Sequence, residues 1–349
     1  MKVVICNMGY SGYWVACWRE LMKHVELVVI TPQTRYPYSE ETTKGLPIRI
    51  LSAEEMDSPS SVAKIVVVEN PDVLVVGGWT SRVFSSLVYH RSLQSVTKVL
   101  IVDSAWEGSW RQIFSRFRLW RYVRQFDGII VGGERGRKFA RWIGFRADKI
   151  FRSIYGYDAD AFKTCHAKRM MKSSWPRRFC FVGRLVPVKG LSVLKDAYGR
   201  YRERVANPWP LDCYGTGILM DSLGEEEGVT IKGFLDPCDL PQALVGEGVF
   251  IFPSLREPWG VALVEAAGAG LPIICSDMVT SGDDVVRQGR NGYIVKTGDA
   301  KSLCKAMIAM HSRYAELPQM GEESMRLAKD FSPMVWCRRW MEAFHALGR

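Results

Sequence analysis

The sequence predicts an α/β fold with two parallel-sheet domains. Short apolar runs rich in valine and isoleucine alternate with longer amphipathic stretches, and this alternation restarts once, after a polar stretch at residues 158–177. Strands that alternate with helices form parallel sheets covered by helices. A chain of 349 residues is long enough for two cores. We therefore predict two Rossmann-like domains over residues 1–160 and 161–330, followed by a C-terminal helix over 331–349 that crosses back to the first domain.

Each predicted domain contains several short, nearly continuous apolar runs, which are typical of buried parallel strands. Those before the polar stretch lie at residues 2–7, 26–30, 72–78, 98–102 and 128–133. Those after it lie at residues 178–183, 211–215, 229–233, 249–254, 272–277 and 292–295. The chain after Ala300 is predicted to be helical. Ligands of such sheets bind beyond the carboxyl ends of the strands, so the loops that follow strands are the places to search.

Composition and charge restrict the class of protein. No apolar run approaches the roughly 18 residues of a membrane span. The nine cysteines are scattered without a CxxC pair, which predicts reduced thiols and a cytoplasmic location, either free or at the inner face of the membrane. Residues 1–165 contain 23 Lys and Arg against 16 Asp and Glu. This excess indicates an anionic partner, with simple solubility as the alternative.

The first candidate constellation is "FVGRLVPVKG" at residues 181–190. A predicted strand ends at Gly183, and the loop after it carries Arg184 and Lys189 before a helix begins near Gly190. An arginine fork and a mobile lysine charge are suited to a pyrophosphate. The alternative is two solvated surface cations.

The second constellation is "FIFPSLREPWGVALVEAAGAGLPIICSD" at residues 250–277. A helix that begins near Gly260 would direct the free N–H groups of Gly260, Val261 and Ala262 outward, where they can bind an anion. Glu257 precedes this helix and Glu265 lies inside it. Glu265 is too deep to cap the helix, and a carboxylate there can accept two hydrogen bonds from a ribose diol.

Together with "YGTG" (214–217), "GRNGYIV" (289–295) and "IYGYDADAF" (154–162), these two stretches resemble the donor-binding half of glycosyltransferase family 4. The resemblance is clear over residues 155–300. It implies a GT-B fold, in which two Rossmann-like domains face each other across a cleft, and a retaining enzyme whose first domain holds the acceptor.

The resemblance also implies roles for the motif residues. Arg184 and Lys189 would hold the nucleotide diphosphate with the help of the Val261 and Ala262 amides. Glu265 would accept hydrogen bonds from the ribose.

Two further roles follow from the resemblance. Glu257 would hydrogen-bond the donor sugar, and the loop "GYSGYW" (9–14) of the first domain would close over the phosphates with Gly12 nearest. Relatives commonly carry a histidine after the fourth strand of this domain. The present sequence has "VLIVDSAWEGSW" (99–110) there, so Asp103 is the candidate on the sugar or acceptor side. Its alternative role is to cap the next helix.

The predicted function is transfer of a sugar from a nucleoside diphosphate sugar, with UDP favoured and GDP next, to a glycan, lipid-linked or small-molecule acceptor. No cofactor and no divalent metal are expected. The DxD-like pair Asp158 and Asp160 falls in the hinge, where metal binding is the minor alternative. Two alternative functions remain. One is that of a related GT-B enzyme, such as a nucleotide-sugar epimerase or a phosphorylase, and the other is that of a non-catalytic basic protein that binds membranes or polyanions.

The last feature is "SWRQIFSRFRLWRYVRQF" at residues 109–126. It interleaves five arginines with aromatic residues and has no acidic residue, which is typical of a helix that lies on an anionic membrane. The alternative is an ordinary amphipathic helix with its aromatic residues packed inward. The stretch matches no nucleic-acid-binding module, so no nucleic acid is expected.

Overall fold

The computed structural model describes residues 1–33 and 43–348, which form two compact units. Unit 1 comprises Met1–Tyr157 and Phe331–Arg349, and unit 2 comprises Asp158–Asp330. The strands are β1 (Lys2–Cys6), β2 (Glu26–Pro32), β3 (Ile48–Leu51), β4 (Val73–Gly77), β5 (Thr97–Val102), β6 (Gly128–Val131), β7 (Ile150–Arg152), β8 (Phe179–Val182), β9 (Leu211–Tyr214), β10 (Val229–Gly233), β11 (Val249–Phe252), β12 (Ile273–Ser276) and β13 (Gly292–Val295).

The helices of the described residues follow the predicted alternation. They are α1 (Gly12–Leu21), α2 (Ala53–Asp57), α3 (Pro59–Val68), α4 (Arg82–Ser86), α5 (Trp110–Val123), α6 (Gly133–Ile143), α7 (Ala159–Phe162), α8 (Cys165–Met170), α9 (Leu191–Arg202), α10 (Met220–Gly224), α11 (Leu240–Leu244), α12 (Val261–Gly268), α13 (Gly282–Val285), α14 (Ala300–Ser312), α15 (Leu317–Ala328) and α16 (Pro333–Leu347). Within residues 1–33 and 43–348, no helix combines the length and the apolar character needed to cross a bilayer.

Each unit is built on one parallel sheet with the same doubly wound strand order. The sheet of unit 1 runs β3-β2-β1-β4-β5-β6-β7, and that of unit 2 runs β10-β9-β8-β11-β12-β13. All strand pairs in both sheets are parallel. The strand order reverses beside β1 in unit 1 and beside β8 in unit 2, which is where ligands bind in open α/β sheets. The predicted α/β architecture is confirmed.

The central strands are buried on both faces because helices cover each sheet on two sides. In β1, Val4 and Cys6 belong to one core cluster, whereas Val3 and Ile5 belong to the other. This alternation explains why the strands appear in the sequence as continuous apolar runs. Two strands were not predicted from the sequence. They are β3, an edge strand that contains Arg49, and β7, which is three residues long.

The chain ends in a helix that packs on unit 1. On α16, Trp336 and Trp340 are fully buried in the core cluster that contains Trp14. Their indole N–H groups donate to the carbonyls of Ile154 and Ser153 at 3.2 and 2.8 Å. Large aromatic side chains with satisfied N–H groups stabilise such a contact strongly. The last helix therefore forms part of the core of unit 1.

Candidate functional site

The loop after β8 carries Arg184 and Lys189 and is fixed against the segment that follows β11. Gly190 has a φ of +71°, and a Cβ atom there would lie 2.1 Å from the carbonyl oxygen of Pro253. The amide of Leu255 donates to the carbonyl of Val188 at 2.8 Å. Only glycine permits this approach of the two backbones. As a result, the two motifs identified in the sequence lie side by side in unit 2.

A third loop, "YGTG" after β9, packs on the same structure. A Cβ atom at Gly215 would lie 1.9 Å from the carbonyl oxygen of Gly183, and one at Gly217 would lie 2.3 Å from that of Leu185. The amide of Leu185 also donates to the carbonyl of Thr216 at 2.8 Å. Because β9, β8 and β11 are neighbours in the sheet, these loops meet at one edge. The glycines of "YGTG" therefore hold the loop of Arg184 in place.

Lys189 and Glu257 form an ion pair. The Nζ of Lys189 contacts Oε2 of Glu257, and the two side chains are only 15% and 14% exposed. Nζ also lies 5.1 Å from the ring centroid of Phe252, which adds a cation–π contact. Removing one partner of so enclosed a pair leaves the other charge uncompensated. The sequence predicts separate roles for these two residues and carries no signal for their contact.

Arg184 is exposed, unlike Lys189. No carboxylate of the described residues pairs with its guanidinium, so its five N–H donors face solvent or a ligand. The edge of unit 2 thus presents one partly shielded cation and one open cation. Both follow β8, as the sequence predicts.

The N-terminus of α12 adds backbone donors to this edge. Gly260 is its N-terminal cap with a φ of +97°, and a Cβ atom there would lie 2.9 Å from Cγ1 of Val279. Val261 and Ala262 are the first two residues of the helix and are half-buried. Amides of a first helical turn have no partner within the helix and carry its positive dipole end. The geometry therefore offers donors suited to an anion.

The turn before α12 is held by residues 278–281, which the sequence does not mark as part of the site. Within residues 278–281, Ser281 donates from its amide to the carbonyl of Trp259 at 3.0 Å and from its hydroxyl to the carbonyl of Gly260 at 3.2 Å. The hydroxyl of Thr280 donates to the carbonyl of Pro258. A turn that depends on contacts from twenty residues downstream leaves no local sequence signal.

Glu265 lies in α12 and is half-buried. Burial, and then the negative charge of Asp158, raise the pKa of its carboxyl from 4.5 to about 7. Among the described residues, none forms a hydrogen bond or an ion pair with this carboxyl. A largely desolvated acid without a protein partner is expensive unless it serves a ligand. Glu265 is therefore positioned to accept hydrogen bonds from a bound molecule.

The DxD-like pair has structural roles. Asp158 caps α7 by accepting a hydrogen bond from the amide of Ala161 at 3.1 Å. Asp160 forms an exposed ion pair with Lys163 at 3.2 Å. In the described part of the chain, no group of three or more His, Cys, Asp or Glu side chains is arranged to bind a metal ion.

Unit 1 has a pocket of its own at the carboxyl ends of β1, β4 and β5. It has a volume of about 240 Å³, and its lining includes Asn7, Trp79, Asp103 and Tyr155. Tyr155 directs its hydroxyl toward Oδ2 of Asp103 at 3.4 Å. Asp103 does not cap α5, because Ser109 accepts the hydrogen bond at that position.

A second depression of about 580 Å³ shares part of this lining and adds Tyr10, Tyr13 and Gln33. Gly12 lies at its border as the first residue of α1. Aromatic side chains of this kind present flat apolar faces together with polar tips. The carboxyl edge of the unit 1 sheet is thus suited to a small polar ligand with an apolar face, such as a sugar ring.

The fold is of the GT-B class. The structure of HepE from Anabaena, solved in complex with UDP and glucose, is similar with a TM-score of 0.77 and 15% identity, and the match covers 99% of this chain and 100% of that one. Sucrose-phosphate synthase from Thermosynechococcus elongatus is similar with a TM-score of 0.74 and 15% identity, with 99% of each chain covered. At such identities the likeness shows the architecture alone.

Sequence comparison adds a family for part of the chain. Residues 168–326 match the family model of the group 1 glycosyl transferases. A phosphatidyl-myo-inositol mannosyltransferase of Mycobacterium leprae is 30% identical over 144 residues, which are 37% of this chain and 36% of that protein. The D-rhamnosyltransferase WbpZ of Pseudomonas aeruginosa is 27% identical over 220 residues, or 60% and 55% of the two chains. The matched regions thus span about a third to a half of these relatives. They support the resemblance to the group 1 enzymes in unit 2.

Proposed function

We propose that the protein is a retaining, metal-independent glycosyltransferase that moves a sugar from a nucleoside diphosphate to an acceptor hydroxyl. The observation that carries this proposal is the edge of unit 2, where the loop of Arg184 and Lys189 lies beside the segment that leads into α12, the helix of the first free amides and of the unpartnered Glu265. The likeness to a structure that contains UDP supports UDP as the preferred nucleotide, and GDP is the next candidate. The two adjoining pockets of unit 1, which share Asn7 and Tyr155, would take the acceptor.

The cations would perform the work that a divalent ion performs in other transferases. Negative charge develops on the distal phosphate as the bond to the sugar breaks, and preorganised donors stabilise that charge. Arg184 and Lys189 would bind the diphosphate, with the amides of Val261 and Ala262 as additional donors. The Lys189–Glu257 pair suggests an exchange: the diphosphate takes over the lysine, and Glu257 becomes available to a sugar hydroxyl.

The proposed reaction breaks the bond between the anomeric carbon and the distal phosphate oxygen. The acceptor oxygen bonds to the anomeric carbon on the face that the phosphate leaves, so the configuration is retained. The proton of the acceptor hydroxyl passes to the departing phosphate, and Glu257 orients the sugar as positive charge develops on its ring. Because the departing phosphate takes the proton of the acceptor, the reaction requires no separate protein base.

The test is a transfer assay with uridine, guanosine and adenosine diphosphate sugars in the presence of excess chelator, with the product configuration read by NMR. We expect Arg184→Ala and Lys189→Ala to slow the reaction by about 10²–10³ each, the usual loss when one donor to developing charge is removed. Arg326→Ala is the matched control, because Arg326 is an exposed unit 2 arginine paired with Glu323 at 2.7 Å.

Three results would contradict the proposal. Inversion of the anomeric centre would rule out attack from the leaving-group face. Strict dependence on added Mg²⁺ or Mn²⁺ would contradict the metal-independent mechanism and would favour metal binding by Asp158 and Asp160. Conversion of the donor to its epimer without any acceptor would identify the alternative GT-B activity.

A further inference from the structure

The most unusual surface of the described residues is the outer face of α5. Its side chains Trp110, Ile113, Phe114, Phe117 and Trp120 are 66%, 43%, 63%, 77% and 49% exposed. Their spacing of three and four residues places them on one stripe of the helix. We call this stripe the aromatic face. Isolated exposed apolar residues are ordinary, but five on one stripe form a patch that indicates an interaction site.

The aromatic face points away from the protein because the opposite side of α5 is anchored. Ser115, Leu119, Tyr122 and Val123 are buried in unit 1. The hydroxyl of Tyr122 donates to the carbonyl of Gly78 at 2.7 Å. Both faces of this helix are thus largely apolar, and only one of them has a protein partner. Of the two orientations left open by the sequence, the structure has four aromatic residues outward, namely Trp110, Phe114, Phe117 and Trp120, and Tyr122 inward.

Arginines lie both within the aromatic face and on its flanks. At 100° per residue, Arg121 and Arg124 fall within the stripe, whereas Arg111, Arg116 and Arg118 lie on its two flanks. The guanidinium of Arg124 lies 4.5 Å from the ring centroid of Trp120, and that of Arg111 lies 5.4 Å from that of Trp110. Residues 108–126 contain no acidic residue, so the positive charge is not neutralised within the segment.

We propose that α5 lies in the headgroup layer of an anionic lipid bilayer, with the aromatic face inserted and the arginines at the level of the lipid phosphates. Charge complementarity and the geometry of the face both favour this partner. An interfacial helix places Trp and Phe toward the acyl boundary and basic residues beside them. A nucleic acid would use the arginines but would leave Ile113 and Phe117 exposed to water. This inference goes beyond the proposed transfer reaction and does not depend on it.

The experiment is flotation of the full-length protein with two kinds of vesicle, phosphatidylcholine alone and phosphatidylcholine mixed with phosphatidylglycerol. We expect at least about tenfold stronger partition to the anionic vesicles, since each basic residue near such a surface adds to the attraction, and weakening of this preference at high salt. Phe114→Ser/Phe117→Ser should reduce partition by about tenfold or more, because both rings leave the interface.

The control variant is Val68→Ser, which removes another apolar side chain of unit 1 that is 82% exposed. It should partition like the unaltered protein. A second variant, Arg118→Glu/Arg121→Glu, should abolish the preference for anionic vesicles. All substituted side chains are exposed, so the unfolding midpoint of each variant should remain unchanged. If the midpoint of Phe114→Ser/Phe117→Ser falls, Trp110→Ser replaces that variant.

Three outcomes would overturn the proposal. The first is equal partition to neutral and anionic vesicles. The second is binding to RNA or another polyanion that depends on the arginines while partition to anionic vesicles is absent. The third is self-association without lipid that Phe114→Ser/Phe117→Ser abolishes, which would identify the aromatic face as a contact between two copies of this chain.

Discussion

The half-buried acid Glu265 yields a prediction with a calculable magnitude. Its pKa is raised from 4.5 to about 7, chiefly by burial. Each pKa unit corresponds to about 1.4 kcal/mol, so the full shift is an upper limit of about 3 kcal/mol. Because the residue retains some contact with solvent, we take about 2 kcal/mol as the cost of ionising it in the folded protein. Glu265→Gln removes this cost while keeping the shape of the side chain.

The sign of the effect follows from proton binding. The folded protein retains a proton on Glu265 that the unfolded chain releases between pH 4.5 and about 7. The stabilisation is therefore complete below about pH 4.5 and is lost as the pH rises through 7. The glutamine variant cannot titrate. Its free energy of unfolding should match that of the unaltered protein most closely at low pH and exceed it by about 2 kcal/mol at pH 8.

The matched control is Glu247→Gln. Glu247 is buried in unit 2, where Oε1 accepts a hydrogen bond from Tyr214 at 2.8 Å, and burial raises its pKa to about 8. Both variants should gain stability at high pH in urea titrations. Only Glu265→Gln should weaken binding of UDP in calorimetry, because a neutral amide is a poorer acceptor for two ribose hydroxyls.

The same carboxyl makes the binding of UDP dependent on pH. Ribose hydroxyls that donate to Glu265 favour its ionised form, so binding should release a proton and weaken as the pH falls below about 7. A Glu265→Gln variant that is no more stable than the unaltered protein at pH 8 would contradict the cost of ionising Glu265. Equal binding of UDP by the two glutamine variants would contradict its role as acceptor for the ribose.

Three other predictions follow from backbone geometry, buried hydrogen bonds and pocket charge. Gly260→Ala should lower the free energy of unfolding by about 1–3 kcal/mol and abolish transfer, since its φ is +97° and Cβ would contact Val279; normal activity would contradict this. Arg169→Met should destabilise unit 2 by about 3 kcal/mol or more in urea titrations, because the buried guanidinium donates to three carbonyls at 2.6–3.1 Å, whereas an unchanged midpoint would show that these bonds contribute nothing. Asp103 should disfavour a glucuronic acid acceptor, because carboxylates repel, and Asp103→Asn should relax that bias in a panel of glucose, xylose and glucuronic acid acceptors; a native preference for a glucuronic acid acceptor would contradict the assignment.

The sequence allowed prediction of the elements whose signals are local. The central strands are buried on both faces, so β1, β8 and β11 stand out as apolar runs. The loop positions of Arg184 and Lys189 follow from where β8 ends. Edge strands such as β3 lack this signal, because partial exposure permits charged residues within them.

Features that depend on tertiary contact were not predictable. The contact between Lys189 and Glu257 joins positions 68 residues apart, and it exists because Gly190 lets the backbone approach Pro253. The outward direction of the aromatic face on α5 was equally open, because both sides of that helix are apolar and only packing decides which one is buried. Periodicity identifies the faces of a helix without assigning their partners.

The central claim is that the edge of unit 2 binds a nucleoside diphosphate, and a crystal structure with UDP tests it most directly. We expect diphosphate oxygens within hydrogen-bond distance of Arg184 and Lys189, ribose hydroxyls on the Glu265 carboxylate, and Lys189 turned from Glu257 toward the phosphate. A nucleotide bound elsewhere, or a diphosphate that contacts neither Arg184 nor Lys189, would contradict the account.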